Sequence, residues 1–434
     1  MAFPCSILLI LLCSLLSSSL AKTPTHSKQV FLPIHKDPST LQYITTIKQR
    51  TPLVPVRLTV DLGGRYLWTV CLSGYNSSSI RTAGCGTTQC RLAETSKYCF
   101  YCIPGPFGPG CTDAPTCWRY PLNTVTDKTV LGEVATDVIA ISSTHGEGRA
   151  GNEVTVPGFI FVCASKKIIA GLAKGVTGMA GLGRTKISFP AQLASALNLK
   201  KRFGLCLSSS TTSKDGGVVI FGDGPYNLKG NSSVLLEYTP LILNKVLTGE
   251  ERIIKSEISA DYFIGVKSIK INENTVKINS TFLKITKGGY GGTKISTVHP
   301  YTLMESSIYN AVIKAFVTEL KNVTRVPAVA PFKACFSSKN IGSTRAGPAV
   351  PSIDLVMRNG VSWRMLGANS MVKINGDVLC LAFVDGGEPP FINAIVIGGH
   401  QIEENLLSFD LEKSRLGFSS SLLAKETRCS NYKV

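Results

Sequence analysis

Residues 60–69 read Val-Asp-Leu-Gly-Gly-Arg-Tyr-Leu-Trp-Thr. Asp61 stands in a tight, glycine-containing turn between two apolar runs that have the character of β-strands. The run before the turn, residues 53–60, mixes buried and alternating positions. In a chain with 40 glycines an Asp-x-Gly sequence is ordinarily only a turn, so the rest of the chain decides whether Asp61 belongs to a site.

The composition favours an all-β protein with two lobes. The chain has 434 residues, which is long enough for two domains of ordinary size. Charged residues make up only 17% of it, while 40 Gly and 22 Pro suit short strands joined by turns. We place the N-terminal lobe at residues 22–233 and the C-terminal lobe at residues 234–434, because the chain turns polar just before Val234.

Strand patterns occur on both sides of this boundary. Residues 132–141 alternate with period two, residues 159–163 form a compact apolar run, and residues 263–272 begin a second alternating series. Residues 188–197 have a short helical pattern, and residues 309–320 carry an apolar stripe at helical spacing that predicts a core-facing helix.

The first 21 residues have the features of a secretory signal. They contain no charged side chain, include an apolar run at residues 7–12 and end Ser19-Leu20-Ala21, a pattern of small residues typical of cleavage sites. The alternative, a membrane anchor, is disfavoured because a spanning helix needs about 20 apolar residues. No later segment of the sequence has that length, so we expect a secreted, extracellular protein of the apoplast or cell wall without a membrane span.

The cysteine count agrees with export. Of 14 cysteines, Cys5 and Cys13 fall in the signal, which leaves an even number that predicts up to six disulfides. Zinc is disfavoured in an exported chain, although Cys99 and Cys102 have knuckle-like spacing. The insertion at residues 85–117 is therefore a stapled loop whose pairing the spacing leaves open. The predicted disulfide residues are Cys71, Cys85, Cys90, Cys99, Cys102, Cys111, Cys117, Cys163, Cys206, Cys335, Cys380 and Cys429.

Four asparagines begin the acceptor pattern for N-linked sugar, and each is expected at the surface. They are Asn76, Asn231, Asn279 and Asn322.

The chain is strongly basic, with 46 Lys and Arg against 28 Asp and Glu and a net charge of +18. A secreted protein does not meet nucleic acid, so we expect acidic polysaccharide, an anionic protein or membrane headgroups as counter-charges. The alternative is that the charge only keeps the protein soluble.

No motif predicts a cofactor or a metal site. The five histidines, His26, His35, His145, His299 and His400, are scattered along the chain. His299 lies three residues after a serine, but a Ser-His pair also needs an orienting acid and an oxyanion hole, and nothing nearby supplies either.

Several strings together resemble the plant branch of the pepsin-like aspartic protease fold, over nearly the whole mature chain. Those of the general fold are Asp61-x-Gly63 with Leu67-Trp68, and residues 181–184, 222–224, 306–309, 397–400, 405–411 and 414–418. Residues 40–43, 49–56 and 291–298 resemble more closely the extracellular dermal glycoproteins and xyloglucan-specific endoglucanase inhibitor proteins, which are similar to basic seed globulins and, more distantly, to cereal xylanase inhibitors.

The resemblance implies two β-barrel-like lobes with a cleft and one catalytic Asp from each lobe. The two carboxylates of an active member share a proton and activate water. The second Asp position falls on Ser296, the hydroxyl residue after the first Asp is Leu62, and residues 120–123 lack a Gly-rich flap tip. We therefore expect a pseudo-aspartic protease without proteolysis, in which Asp61 has no coupled carboxylate. The resemblance also pairs Cys335 with Cys380 and Cys429 with Cys206.

Endoglucanase-inhibiting relatives push second-lobe loops into a hydrolase cleft, where an arginine can bridge two carboxylates. The corresponding loop here, residues 385–394, has no Lys or Arg, and its Glu388 has the wrong sign. Pro390 and Phe391 in this loop are candidates for an apolar anchor. Lys339 and Arg345 lie in a second candidate loop, for which a solvated hairpin without a partner is the alternative.

Three functional hypotheses follow. The first is an inhibitor of a secreted glycoside hydrolase, of the xyloglucan endoglucanase or xylanase type, in plant defence or wall remodelling. The second is a wall-associated binding or storage glycoprotein, whose ligand would be acidic polysaccharide or a peptide. The third is residual aspartic endopeptidase activity that depends on Asp61.

Overall fold

A computed structural model describes the protein over residues 29–71, 74–95, 99–101, 114–144, 150–212, 216–224, 226, 234–246, 258–389 and 392–432. Several sequence predictions fall outside these residues. They are the signal segment 1–21, His26, Cys102, Cys111, His145, Asn231, Pro390 and Phe391. The predicted lobe boundary follows the undescribed residues 227–233 and stays a prediction.

The chain is mostly β-structure. The strands between residues 29 and 221 are Gln29–Lys36 (β1), Tyr43–Gln49 (β2), Val54–Asp61 (β3), Trp68–Val70 (β4), Arg81–Thr82 (β5), Cys99–Tyr101 (β6), Pro115–Arg119 (β7), Leu122–Asn123 (β8), Lys128–Thr129 (β9), Gly132–Thr144 (β10), Ala150–Ala164 (β11), Gly178–Gly181 (β12), Arg202–Cys206 (β13) and Gly217–Phe221 (β14).

The strands between residues 237 and 418 form the second series. They are Glu237–Ile242 (β15), Tyr262–Ile264 (β16), Val266–Ile271 (β17), Asn274–Thr275 (β18), Thr293–Ile295 (β19), Thr302–Met304 (β20), Arg325–Val326 (β21), Cys335–Ser337 (β22), Ser343–Thr344 (β23), Gly347–Pro348 (β24), Ile353–Met357 (β25), Ser362–Met365 (β26), Met371–Lys373 (β27), Val378–Leu381 (β28), Phe383–Asp385 (β29), Ile395–Ile397 (β30), Leu406–Asp410 (β31) and Arg415–Phe418 (β32).

Helices are few and short in the described residues. The α-helices are Thr88–Leu92 (α1), Phe189–Leu197 (α2), Ser306–Glu319 (α3), Gly367–Ser370 (α4) and Gly399–Ile402 (α5), and the 3-10 helices are Lys166–Ile169, Ser338–Asn340, Leu422–Lys425 and Cys429–Asn431. The helix predicted at residues 309–320 begins three residues earlier and ends one residue earlier. Its start is fixed by Glu305, whose carboxylate accepts the amide N–H of Ile308 at 3.1 Å.

A six-stranded antiparallel sheet joins the two halves of the chain. Its strands lie in the order β1-β14-β13-β31-β32-β15, three from each half. The ring of Phe203 on β13 stacks on that of Phe409 on β31, with centroids 4.7 Å apart. The core is therefore continuous across the sheet.

Each half also contains a parallel strand pair that ends at one of the two degenerate positions. β3 pairs with β12, with Asp61 opposite Gly181, and β19 pairs with β30, with Ile295 opposite Ile397. Ser296 follows β19 directly. The repeated arrangement places Asp61 and Ser296 at corresponding points of the two halves, as the resemblance implies.

Five disulfides join described cysteines. They are Cys71–Cys163, Cys85–Cys99, Cys90–Cys117, Cys206–Cys429 and Cys335–Cys380. The last two are the pairs that the resemblance predicted, and both are confirmed.

Candidate functional site

Asp61 is a buried carboxylate whose two oxygens are both hydrogen-bonded. Its side chain lies at the end of β3, and the residue is only 4% exposed. The amide N–H of Gly63 donates to Oδ1 at 3.1 Å, and the Thr124 hydroxyl donates to Oδ2 at 2.8 Å. The pKa of Asp61 is raised to about 6, chiefly by burial and also by the charge of Asp261, while the hydrogen bond from Thr124, the charge of Lys294 and the hydrogen bond from Gly63 act in the opposite direction.

Thr124 comes from a hairpin that folds over the site. The hairpin pairs β8 with β9, and Thr124 lies in its turn. Trp68 Nε1 donates to the carbonyl of Leu122 at 3.1 Å, and Asn123 Nδ2 donates to the carbonyls of Ile168 and Ala170 at 2.7 and 2.9 Å. Asn123 is fully buried. These contacts fix the hairpin in the position where Thr124 covers Asp61.

Ser296 occupies the corresponding position of the second half, and its hydroxyl serves the backbone. Ser296 Oγ accepts the amide N–H of Val298 at 3.1 Å and that of His299 at 3.3 Å. A serine hydroxyl carries no charge in the ordinary pH range and cannot share a proton with Asp61 as a carboxylate would. The described contacts of Ser296 stabilise a turn.

Thr297 links the two halves directly. Its hydroxyl donates to the carbonyl of Val60 at 2.6 Å and accepts the amide N–H of Leu62 at 3.0 Å. Leu62, which stands where the resemblance expects a hydroxyl residue, is fully buried in the core. The link is therefore made from the second half only.

Thr297→Val is expected to lower the free energy of unfolding by about 1–3 kcal/mol, because it leaves a buried carbonyl and a buried amide without their partner. Thr344 provides a matched control, since its hydroxyl also bonds two backbone groups but lies in the exposed β23–β24 hairpin. Chemical denaturation measures both variants, and Thr344→Val should lower the free energy of unfolding by less than about 0.5 kcal/mol. Equal losses in the two variants would contradict a structural role for the Thr297 link.

The sequence predicts that Asp61 has no coupled partner that raises its pKa, and this is wrong, because the charge of Asp261 contributes to the raised pKa of Asp61. A Cβ added at Gly63 would lie 2.2 Å from Asp261 Oδ1, so the Asp261 carboxylate rests against the turn that holds Asp61. Asp261 also accepts a hydrogen bond from Ser259 Oγ at 3.1 Å and pairs with Lys294 Nζ at 3.3 Å. Asp261 immediately precedes β16 and carries no motif, so only the docking of the two halves reveals it.

Gly64 leaves no room for the serine that the resemblance expects there. A Cβ at this position would lie 2.8 Å from Gly181 Cα and 2.9 Å from Asp61 Oδ2. Both atoms belong to the paired β3 and β12 strands, which cannot separate without breaking the sheet. The glycine is therefore required by close packing.

His299 is not part of a Ser-His pair among the described contacts, because Ser296 Oγ accepts only its backbone amide. Burial, and next the charge of Lys294, lower the pKa of His299 to about 4, while Asp261 acts in the opposite direction. The ring is neutral at ordinary pH. The described residues offer one candidate metal cluster, Cys85, Cys99 and Cys117, and all three are in disulfides.

The loop with Lys339 and Arg345 does not project freely into solvent, because Arg345 forms an ion pair with another part of the chain. Arg345 Nη1 lies 2.5 Å from Glu426 Oε1, and 72% of its side chain is exposed. Lys339 lies in the 3-10 helix Ser338–Asn340, exposed and in no ion pair with another described residue. Arg345 is therefore engaged at the surface, and Lys339 is the cation of this loop that remains available.

The loop with Glu388 leaves from a different place. Ser337 lies opposite Val378 at the start of β28, whereas Glu388 follows the end of β29. The structure therefore does not bring the two candidate loops together. Asp385, at the end of β29, pairs with a cation from another segment: Lys333 Nζ lies 2.7 Å from Asp385 Oδ2. Sequence reasoning missed Lys333 because 52 residues separate it from its partner.

Asn76, Asn279 and Asn322 are exposed, as predicted for glycosylation acceptors. No helix in the described part of the chain is both long enough and apolar enough to cross a membrane.

Two family models match most of this chain. The model described as xylanase inhibitor N-terminal matches residues 43–223, and the one described as xylanase inhibitor C-terminal matches residues 261–420. The chain belongs to the xylanase-inhibitor family.

Relatives of this xylanase-inhibitor homologue align along nearly its whole length. The probable aspartic proteinase GIP2 of Nicotiana benthamiana is 53% identical over 440 residues, covering 100% of this chain and 99% of the relative. Basic 7S globulin of Glycine max is 39% identical over 414 residues, covering 92% and 90%. The crystal structure of EDGP is 51% identical, with a TM-score of 0.90 and coverage of 94% and 98%.

The pepsin-like fold of this family member is confirmed at greater distance. The aspartic proteinase from Irpex lacteus superposes with a TM-score of 0.55 at 15% identity, covering 92% of this chain and 99% of the proteinase. At this identity the likeness concerns the fold alone. The all-β, two-lobed fold predicted from sequence is therefore confirmed.

Proposed function

We propose that this protein is a secreted, non-catalytic aspartic-protease homologue that binds and inhibits a glycoside hydrolase. Its target would be of the xyloglucan endoglucanase or xylanase type, and its place the apoplast or cell wall, in defence or wall remodelling. One observation carries the proposal. The scaffold is matched by both xylanase-inhibitor models, Ser296 follows the strand of the second half that corresponds to β3, and the Thr124 hydroxyl donates to Asp61.

Proteolysis requires two carboxylates that share one proton and hold a water molecule. Asp261 is not equivalent to the missing Asp, because it is paired with Lys294 and lies against Gly63. The Thr124 hydroxyl takes an acceptor position on Asp61 that an attacking water would need. Loss of half of a catalytic pair costs several powers of ten in rate, by analogy with triads.

The surface around Lys333 supports binding to a hydrolase cleft, which holds two carboxylates about 5–9 Å apart. Lys333 is 56% exposed, so its ion pair with Asp385 is weak and can be exchanged for a carboxylate of the partner. Arg325 Nη2 donates to the carbonyl of Lys333 at 3.2 Å. Arg325 is exposed and forms no ion pair with another described residue. Its guanidinium can bind a carboxylate with two hydrogen bonds.

The cations Arg325 and Lys333, rather than the loop with Glu388, would face the carboxylates of the partner. Glu388 is exposed and can stay in solvent at the rim of a contact, where a like charge costs little. Lys339 remains a second candidate contact, and Arg345 would first have to leave Glu426. Pro390 and Phe391 remain proposed apolar anchors.

Inhibition assays on a panel of endoglucanases and xylanases test the proposal. The wild type should inhibit at least one enzyme at micromolar concentration, and the double variant Arg325→Ala/Lys333→Ala should bind it at least about tenfold more weakly, because a cation that faces a carboxylate is lost. Lys200→Ala, which removes an exposed cation from the first half, is the control. Unchanged hydrolysis across the panel would contradict the function. Loss of inhibition only in Lys339→Ala or Arg345→Ala would show that the contact lies in the loop with Lys339 and Arg345 instead.

The net charge of +18 supports a second candidate, a wall-associated binding or storage glycoprotein whose ligand is acidic polysaccharide or a peptide. Such a protein would be released from cell walls by salt and retained on immobilised polyuronide at low ionic strength. Failure of both, together with no binding of any peptide ligand, would reject this candidate.

A further inference from the structure

An open groove of about 820 Å³ lies beside the β17–β18 hairpin. Its volume is in the range of roughly 300–1,000 Å³ that is typical of sites for small ligands. Val276 and Ile278 give it apolar surface, and Lys267 and Lys277 supply cations. Both lysines are exposed and form no ion pair within the described part of the chain.

Asn279 also lines this groove and begins the sequence Asn279-Ser280-Thr281. Its Oδ1 accepts the amide N–H of Thr281 at 3.1 Å and the Thr281 hydroxyl at 2.7 Å. The side-chain amide is thereby oriented, and Nδ2 donates to no described residue. Asn279 is exposed, so a substituent on Nδ2 fits without disturbing the fold.

The sequence predicts an N-linked oligosaccharide on Asn279, and we propose that the first sugars of this oligosaccharide lie in the groove. In the attachment step, Nδ2 of Asn279 loses one proton and forms a bond to the anomeric carbon of an oligosaccharide linked to a lipid diphosphate. The bond from that carbon to the diphosphate oxygen breaks, and the lipid diphosphate leaves. No oxidant or reductant is involved.

The groove matches the chemistry of a sugar chain. The C–H faces of a pyranose can cover the apolar surface of Val276 and Ile278. The ammonium groups of Lys267 and Lys277 and the hydroxyl of Ser307 can hydrogen-bond to sugar hydroxyls. Because the sugar is tethered two residues from Lys277, its effective concentration at the groove is in the millimolar range, so weak contacts suffice.

The other described acceptor sites have a different geometry. The hydroxyl of Ser78, which completes the Asn76 sequence, donates to the carbonyl of Thr51 at 3.4 Å. Asn322 lies in the exposed turn after α3 and does not line the groove. A glycan on Asn322 should therefore extend into solvent, which makes it the internal reference.

The test uses the full chain secreted from a eukaryotic host. Glycopeptide mass spectrometry should find sugar on Asn279, and a peptide-N-glycosidase should release it from the native protein about tenfold more slowly than from Asn322, because tethered contacts protect it. After denaturation the two rates should be equal. The double variant Lys267→Ala/Lys277→Ala changes two exposed residues and should have little effect on stability. In this variant the rates of glycan release from native Asn279 and Asn322 should become equal.

An unmodified Asn279 would overturn the proposal. Binding of polygalacturonate in the groove of such a protein would not rescue it. Equal native release rates at Asn279 and Asn322 would overturn the seating of the sugar in the groove. Neither outcome depends on hydrolase inhibition, so this proposal and the proposed function fail separately.

Discussion

Glu403→Gln is expected to lower the free energy of unfolding by about 3–5 kcal/mol. The Glu403 side chain is 2% exposed. Its Oε1 lies 2.6 Å from Lys36 Nζ and accepts the Tyr43 hydroxyl at 2.6 Å, and its Oε2 lies 3.3 Å from His400 Nδ1. Removing the charge leaves the ammonium group of Lys36 without its counter-ion in a site that is largely shielded from solvent.

The position of Glu403 makes this loss global. Lys36 ends β1 and Tyr43 begins β2, whereas Glu403 and His400 belong to the α5 region of the second half. The network therefore joins the two halves of the chain, beside the six-stranded sheet. Loss of these contacts therefore weakens the interface between the two halves and not only a local loop.

The effect should also depend on pH. Burial alone raises the pKa of Glu403, but the hydrogen bond and charge of His400 and then Lys36 outweigh it and lower the pKa below its usual value. The stabilisation is therefore complete above the unfolded pKa of about 4.3 and disappears as the pH falls through the lower folded value. The difference between wild type and Glu403→Gln should shrink below about pH 4.

Chemical denaturation at pH 7 and at pH 3 measures both points. Glu273→Gln is the control, because Glu273 is 78% exposed in its ion pairs with Lys270 and Arg364. This control should change stability by no more than about 1 kcal/mol. A loss for Glu403→Gln as small as that of the control would contradict the role of the network.

Asp61→Asn is expected to stabilise the protein at neutral pH by up to about 3 kcal/mol, because the folded pKa of about 6 lies well above the unfolded value of 3.8. Between these values the folded state holds a proton that the unfolded state has released. The wild type therefore loses stability as the pH rises from about 4 to 6, and the loss stays constant above that.

Asparagine can replace the carboxylate without losing its partners. Its oxygen can accept from Gly63, and its amide can donate to Thr124, whose hydroxyl can turn to Met179 Sδ at 3.7 Å. Melting temperatures from pH 4 to 8 should diverge between Asp61→Asn and wild type as the pH rises. Asp377→Asn, an exposed control, should follow the wild type throughout. If the melting temperatures of Asp61→Asn and the wild type changed in parallel with pH, the pKa of Asp61 would not be raised by burial.

Local pattern was sufficient for most of the fold. The alternation of residues 132–141 predicted a strand and the stripe of residues 309–320 predicted a helix, because burial on one face leaves a period in the sequence. The strand is longer than predicted, since β10 runs to Thr144 along β11. The helix begins earlier because Glu305, an unusual residue at an N-cap, satisfies its first turn.

Contacts between residues far apart in the chain could not be predicted from local sequence patterns. Asp261 reaches Asp61 only through the docking of the two halves, and Thr124 reaches it from 63 residues away. The pairing of Arg345 with Glu426 likewise depends on where the C-terminal segment lies. Such contacts leave no period or spacing in a single sequence. The resemblance located Ser296, but it could not describe the surroundings of Asp61.

We propose that Asp61 does not catalyse proteolysis. The most direct measurement is cleavage of an unfolded protein substrate at pH 3–6 by the wild type and by Asp61→Asn, with and without a transition-state peptide inhibitor of aspartic proteases. We predict no cleavage by the wild type above the background of Asp61→Asn and no effect of the inhibitor. Cleavage that the inhibitor suppresses and that Asp61→Asn abolishes would show instead that Asp61 is catalytic.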